Sequence, residues 1–273
     1  MGVIFHPTYH HHIILAMRIG IIGFGNMGSA FGEGLKKSAE VVAFDTDASK
    51  REKALEMGIG WAKDLEFLVA NSDVLLLAVK PKDAGKVLEN LRGKMEGKVL
   101  VSIVAGLSLK KIEELLGKEK VIRCMPNLAV AVGKGAIAYV CNELVEERDE
   151  ENFKESFSKC GSLHKVEEGL MDAFTALAGS GPAFVMKFIS ALCLAGVREG
   201  FSYQQAMDIV LDTIEGTVLM LRTFGGHPEE WISKVASPAG TTIEGLKVLE
   251  ERAFSGILME CIRETTNRCK QLG

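Results

Sequence analysis

From Met17 onward, short apolar runs alternate with longer stretches whose apolar residues recur at helical spacing. Residues 17–22 (MRIGII) predict a buried strand, and 30–37 a helix that follows it. Residues 41–44 predict a second strand, with a charged helix over 48–57. Three more runs of strand length, 74–78, 99–103 and 121–124, are separated by helical patterns at 84–91 and 109–116. Residues 136–140 and 163–166 add candidate edge strands. Continuous apolar strands alternating with helices predict a doubly wound α/β domain, a parallel sheet covered on both faces.

The pattern changes near Leu170. Beyond it, helical periodicity dominates: 181–200, 203–224, 229–235, 243–249 and 254–272. The stretch 184–197 is apolar over most of its circumference, and such a helix needs cover on all sides, from its own domain or from another subunit. The predicted organisation is the α/β domain over 17–170 and an all-helical domain over 171–273.

Composition narrows the classes. The chain has 273 residues, 47% hydrophobic and 25% charged, with net charge −4 and pI about 5.9. That length supports one large domain or two modest ones. The charge balance lacks the basic field that a phosphate backbone requires, so nucleic acid is not expected as a partner. The six cysteines form no C-x-x-C pair and stand at no zinc-ligand spacing, so no metal site is expected and a reducing, cytoplasmic setting fits. No unbroken run of 18 apolar residues occurs, and no membrane span is expected. Residues 1–16 (MGVIFHPTYHHHIILA) differ in character from the rest. His10, His11 and His12 interrupt what a secretory signal would need; three histidines can bind a metal, but the segment reads rather as a leader or extension with Met17 as the working start.

The chemistry begins at the end of the first strand. Ile22 is followed by Gly23-Phe24-Gly25-Asn26-Met27-Gly28, a G-x-G-x-x-G between a strand and a helix. Its first glycine permits the tight turn, its second lets a pyrophosphate approach the backbone, and its third lets helix and strand pack. Asp45 lies 22 residues after Gly23, just past the second strand, where a carboxylate accepts hydrogen bonds from the adenosine ribose. That charge would repel the 2′-phosphate of NADPH, so NADH is favoured; Lys50 and Arg51 are the residues that would serve NADPH instead. The plainer reading of Asp45 is a turn cap before the next helix. Ala78-Val79-Lys80-Pro81, Val104-Ala105-Gly106 and Met125-Pro126-Asn127 follow later strands, and ligands in such sheets lie beyond the carboxyl ends. Ala78, Val79, Lys80, Pro81, Ala105 and Asn127 therefore join the candidate cofactor residues.

Two segments of the helical half stand out. Gly179-Ser180-Gly181-Pro182-Ala183 opens one long helix, and Ser237-Pro238-Ala239-Gly240-Thr241-Thr242 opens another, with Thr241 and Glu244 at capping-box spacing. They read equally as two well-capped helices or as helix starts that bind a small anion such as a carboxylate.

GSGPAF at 179–184 and SPAGTTIEGLKVLEERAF at 237–254, with VIRCMPN at 121–127, AVKP at 78–81 and GFGNMG at 23–28, resemble the pyrroline-5-carboxylate reductases in order along nearly all of 17–273. The carboxy-terminal segment is the most specific part. The resemblance implies a Rossmann domain followed by a helical dimerisation domain, a homodimer that can assemble into a ring of dimers, and reduction of a cyclic imine to proline by NADH or NADPH. It also implies that Ser237, Gly240 and Thr241 hold the substrate carboxylate and that Thr242 meets the ring nitrogen. This sequence departs from the family where Leu128-Ala129 replaces the usual threonine-proline, where SPAG replaces SPGG or SPNG, and at Asp45. Two rivals remain: a related dehydrogenase of a β-hydroxy acid or another imine, which would want an interface lysine as proton donor, and a non-catalytic dinucleotide sensor, which would bind NADH without turnover.

Overall fold

The computed structural model describes residues 17–272, so the expectations for 1–16, including His10, His11 and His12, lie outside the described residues. Two compact units divide the described chain: 17–124 with Ala129–Lys165, and Met125–Leu128 with 166–272.

The first unit is built on one sheet. Its strands are β1 (Arg18–Ile22), β2 (Glu40–Phe44), β3 (Gly60–Trp61), β4 (Val74–Leu77), β5 (Val99–Ser102), β6 (Lys120–Met125), β7 (Gly135–Cys141) and β8 (Gly161–Lys165). Their order is β3-β2-β1-β4-β5-β6-β7-β8. β1 pairs in parallel with both β2 and β4, so the order reverses at the β1/β4 boundary. Ligands of doubly wound sheets bind at that switch point, beyond the strand carboxyl ends.

Period-two alternation assigns side chains to the two faces. Val74 and Leu76 face one cluster with Ile19, Ile21, Val101 and Ile122, covered by α1 (Asn26–Leu35), α2 (Lys50–Glu56) and α6 (Glu147–Phe157). Leu75 and Leu77 face the other with Leu100 and Val121, covered by α3 (Leu65–Ala70), α4 (Pro81–Leu91) and α5 (Leu109–Leu116). Phe31, Phe153 and Phe157 are fully buried in the first cluster, and each such side chain contributes about 1.5–3 kcal/mol of transfer free energy.

The charged helix begins at Lys50 and not at Ala48, because 48 and 49 belong to the turn that follows Asp45. The last strands also qualify the all-parallel expectation. Asn142, just past the end of β7, donates its N–H to Val121 O at the start of β6 (3.0 Å), so β7 runs back along β6, and β8 then pairs in parallel with β7. The Asn142 side chain bridges Glu113, Glu119 and Val121 at 2.8–3.1 Å and secures that return. Beneath it, Glu150 accepts from Tyr139 Oη (2.8 Å), Lys165 (2.6 Å) and Lys154 (2.7 Å), tying α6 to β7 and β8.

The second unit is helical: α7 (Met171–Phe174), a π turn (Thr175–Gly179), α8 (Gly181–Arg198), α9 (Tyr203–Phe224), α10 (Pro228–Val235), α11 (Thr241–Glu251) and α12 (Phe254–Leu272). α8 and α9 approach closely at Gly196, where a Cβ would lie 2.9 Å from Ala206 Cβ. α9 starts from a complete capping box of Ser202 and Gln205. Among the described residues from 166 onward, only Met171, Ala176, Cys193 and Ala206 are buried. Met186 (61% exposed) and Leu194 (59%) stand in the open with Val185, Phe188 and Leu192 along α8. This is an apolar face with no cover of its own.

One helical run of the second unit has the length and composition that a membrane span also has. The run Glu168–Arg198 is helical throughout, and its most apolar window has mean hydropathy 1.6, enough by length and composition alone to cross a membrane. The sequence hid this because Gly179-Ser180-Gly181-Pro182 reads as a break; the π turn instead carries the chain through it without a stop.

Candidate functional site

In the sheet unit, each glycine of the turn after β1 has a different reason to be glycine. Gly23 has φ +95°, and a Cβ there would lie 2.8 Å from Ala78 O and 2.9 Å from Val79 Cγ1. At Gly28 a Cβ would collide with Gly23 O. Gly25 differs: its φ is −75°, and a Cβ would meet nothing within 4 Å. The fold does not require glycine at 25, so the open space in front of it is where a ligand needs the backbone bare. Gly25 caps α1 with no side-chain bond, and Gly25 and Asn26 are exposed at the helix N-terminus. Free N–H groups and the positive dipole end there suit a pyrophosphate. Phe24 is fully buried and packs edge-on against Trp61 (6.4 Å, 89°), which anchors the turn in the core.

Asp45 reaches this turn. Its Oδ2 accepts the N–H of Phe24 (2.7 Å) and its Oδ1 that of Asp47 (2.9 Å). The turn-capping reading of Asp45 is therefore real chemistry, yet each carboxylate oxygen keeps a second lone-pair site for a ribose hydroxyl. Lys50 stands 3.7 Å from Asp47 Oδ2, and the Ser49 hydrogen bonds with the nearby lysine hold the Asp47 carboxyl below its ordinary range.

Ala78 N donates to Ile22 O (2.8 Å), which sets the loop after β4 beside the glycine turn at the switch point. Lys80 caps α4 and Pro81 is its first residue, where no N–H is needed. Ala105 is exposed on the same carboxyl edge, after β5.

In the helical unit, residues 125–128 pack with the helices, and Asn127 Nδ2 donates to Ala178 O (3.1 Å) within the π turn. Sequence reasoning had no signal for that turn; its one trace is the run of small residues before Pro182, where backbone can rearrange. Ser180 N donates to Thr175 O (2.8 Å), which ties the start of α8 to the π turn. The segment Ser237–Thr242 leads into α11. Gly240 caps α11 with no side-chain bond, and Ser237, Gly240, Thr241 and Thr242 fall on one turn and the first helical residues. A Cβ on Gly240 would collide with the Ser237 hydroxyl, so the serine lies directly over the helix start. The expected capping box of Thr241 and Glu244 does not form: Thr241 is the first helical residue, one place too late to cap. Both segments therefore open a helix with the capping N–H already bonded, Ser180 N to Thr175 O (2.8 Å) and Gly240 N to Ser237 O (3.1 Å). His227 has a structural role, its Nδ1 accepting the N–H of Glu229 (3.3 Å) as the cap of α10.

A glycine turn at the switch point of a doubly wound sheet, joined to a helical unit with an uncovered apolar face, defines the class of Rossmann-type nicotinamide-dependent oxidoreductases with a helical dimerisation domain. Residues 168–272 match the family model described as pyrroline-5-carboxylate reductase dimerisation, and 18–106 that of NADP oxidoreductase, coenzyme F420-dependent. The chain is 51% identical over 266 residues to the pyrroline-5-carboxylate reductase of Aquifex aeolicus, covering 96% of this chain and 100% of the relative. It is similar in structure to Plasmodium falciparum pyrroline carboxylate reductase with NADP bound (TM-score 0.84, 31% identity, 94% and 98% of the two chains). It is similar also to 1-pyrroline-5-carboxylate reductase from Streptococcus pyogenes (TM-score 0.85, 32% identity, 94% and 99%). The chain belongs to the pyrroline-5-carboxylate reductase family. The dimerisation region matched by the family model includes the whole of Glu168–Arg198.

Proposed function

We propose that this chain reduces 1-pyrroline-5-carboxylate to L-proline with NAD(P)H, the last step of proline biosynthesis, acting as a homodimer. The observation that carries this reading is the 51% identity to a reductase of that name across essentially the full length of both chains.

Bound at the glycine turn, NAD(P)H supplies the hydride that converts C=N to CH–NH. The residues for it are Ile22 to Gly28 and Asp45, with Ala78, Val79, Lys80, Pro81, Ala105 and Asn127 as further contacts; the bare backbone at Gly25 fits a pyrophosphate. The chain's own task is to position the imine. Ser237, Gly240 and Thr241 hold the carboxylate at the uncapped start of α11, which favours an anion. Thr242 meets the ring nitrogen, whose proton is taken up from solvent before hydride reaches the neighbouring carbon, so that the iminium becomes the neutral amine. That hydroxyl stabilises the nitrogen as its charge changes, and no strongly shifted acid or base is required.

Two finer readings go with this. Asp45 makes NADH the preferred donor, because its charge opposes a 2′-phosphate. The dimers can assemble further into a ring, and the cytoplasm is the expected setting. The test is loss of nicotinamide absorbance with NADH and with NADPH, with and without pyrroline-5-carboxylate. Imine-dependent oxidation supports the reading; folded protein that binds nucleotide and oxidises neither overturns it.

A further inference from the structure

The turn that leads into α11 holds an alanine where the backbone favours glycine. Ser237 O accepts the N–H of Gly240 (3.1 Å), closing a four-residue turn with Pro238 and Ala239 at its centre. Proline's fixed φ suits the first central position. Ala239, at the second, has φ +56°. A positive φ after proline is the mark of a type II turn, whose second central residue is normally glycine or asparagine. Other L-residues are disfavoured there because Cβ crowds the next carbonyl oxygen. Ser237, Pro238 and Ala239 are all exposed in the single chain, so its own packing does little to offset this strain.

We propose that Ala239 is a positioning residue that keeps the substrate turn biased toward opening, so that the product leaves readily. The inference rests on the reading of 237–242 as the carboxylate site. The left-handed penalty weights the closed turn down by about five- to thirty-fold relative to a residue without it. Wherever the open form is well populated, the apparent affinity for imine and for proline drops with the competent fraction. A second alanine supplies an internal control. Ala253 has φ +53° just past the other end of α11, with the same strain and no place in the substrate turn.

The test is a series at one position in the full chain: Ala239→Gly, Ala239→Asn, wild type and Ala239→Val. The readouts are imine KM, inhibition by proline, cofactor KM and Tm. Imine KM and the proline inhibition constant fall about three- to ten-fold in Ala239→Gly, fall less in Ala239→Asn and rise in Ala239→Val. Cofactor KM stays constant, and Ala253→Gly raises Tm without moving the imine KM. A flat imine KM across the series in an active wild type, with Tm alone following the φ penalty, overturns the inference by itself. Absence of imine turnover in the wild type overturns the substrate reading and this inference together.

Discussion

The carboxylate of Asp45 accepts the backbone N–H of Phe24 at 2.7 Å, joining the end of β2 to the glycine turn after β1. One side chain therefore has two separable properties: an acceptor that shapes the turn and a charge that selects the nucleotide. Asp45→Asn removes the charge and keeps one of the two acceptor oxygens, so one of the N–H bonds from Phe24 and Asp47 is lost. The ratio of kcat/KM for NADPH to that for NADH should rise by roughly ten-fold or more, with Tm lowered by the one lost hydrogen bond. An unchanged ratio would move attention to Lys50 and Arg51.

The glycines of the same turn should separate binding from folding. Gly25→Ala adds a methyl to open space at an ordinary φ, so stability should hold while nucleotide affinity falls at least ten-fold. Gly28→Ala drives a methyl into Gly23 O and should destabilise the fold by about 1–3 kcal/mol. Nucleotide titration and thermal melts of the two variants measure this. Equal loss of stability in both would mean that Gly25 is glycine for the fold and not for a ligand.

How far each feature was legible follows from the range of the forces behind it. Strands β1, β2, β4, β5 and β6, α5 and the carboxy-terminal helices are written in periodicity, which is local, so residues such as Val74 to Leu77 declare their faces directly, whereas β3 has only 2 residues and shows no period. The glycine turn is nearly as local. The reversal at β7 depends on Asn142 reaching Glu113, Glu119 and Val121, a contact that no window of sequence contains. The π turn depends in the same way on Asn127 meeting Ala178, 51 positions away. Spacing also misled at α11, since Thr241 and Glu244 fit a capping box but Gly240 had already taken the capping position.

Thr242→Ala should lower kcat/KM for the imine about ten- to a hundred-fold, the effect of losing one hydrogen bond of ~1–3 kcal/mol in the transition state. Nucleotide affinity should stay within about two-fold of wild type. Steady-state kinetics with a separate nucleotide titration distinguishes the two, and an unchanged kcat/KM would remove Thr242 from the reacting centre.

A charge on the uncovered face of α8 should prevent association. Met186→Asp and Leu194→Asp each place a carboxylate where a second copy would bury it, which costs several kcal/mol without a partner charge. Sedimentation should show monomer at concentrations where the wild type is dimeric. Dimers of both variants would place the interface on another face of the helical unit.

Glu150 gives the fold an acid limit. Hydrogen bonds from Lys154, then Lys165 and Tyr139, hold its pKa at about 2 against an ordinary 4.5. The folded state thus prefers the ionised form, and the stabilisation is fully present above the unfolded value. It is lost as pH falls from about 4.5 toward 2. Lys154, Lys165 and Tyr139 are all shifted upward, in each case with Glu150 among the causes, so the same cluster also weakens at strongly alkaline pH. Denaturant melts of Glu150→Gln should show lower stability at neutral pH and a shallower decline between pH 4.5 and 2 than the wild type. Parallel acid limbs in the two proteins would mean that other carboxylates set the limit.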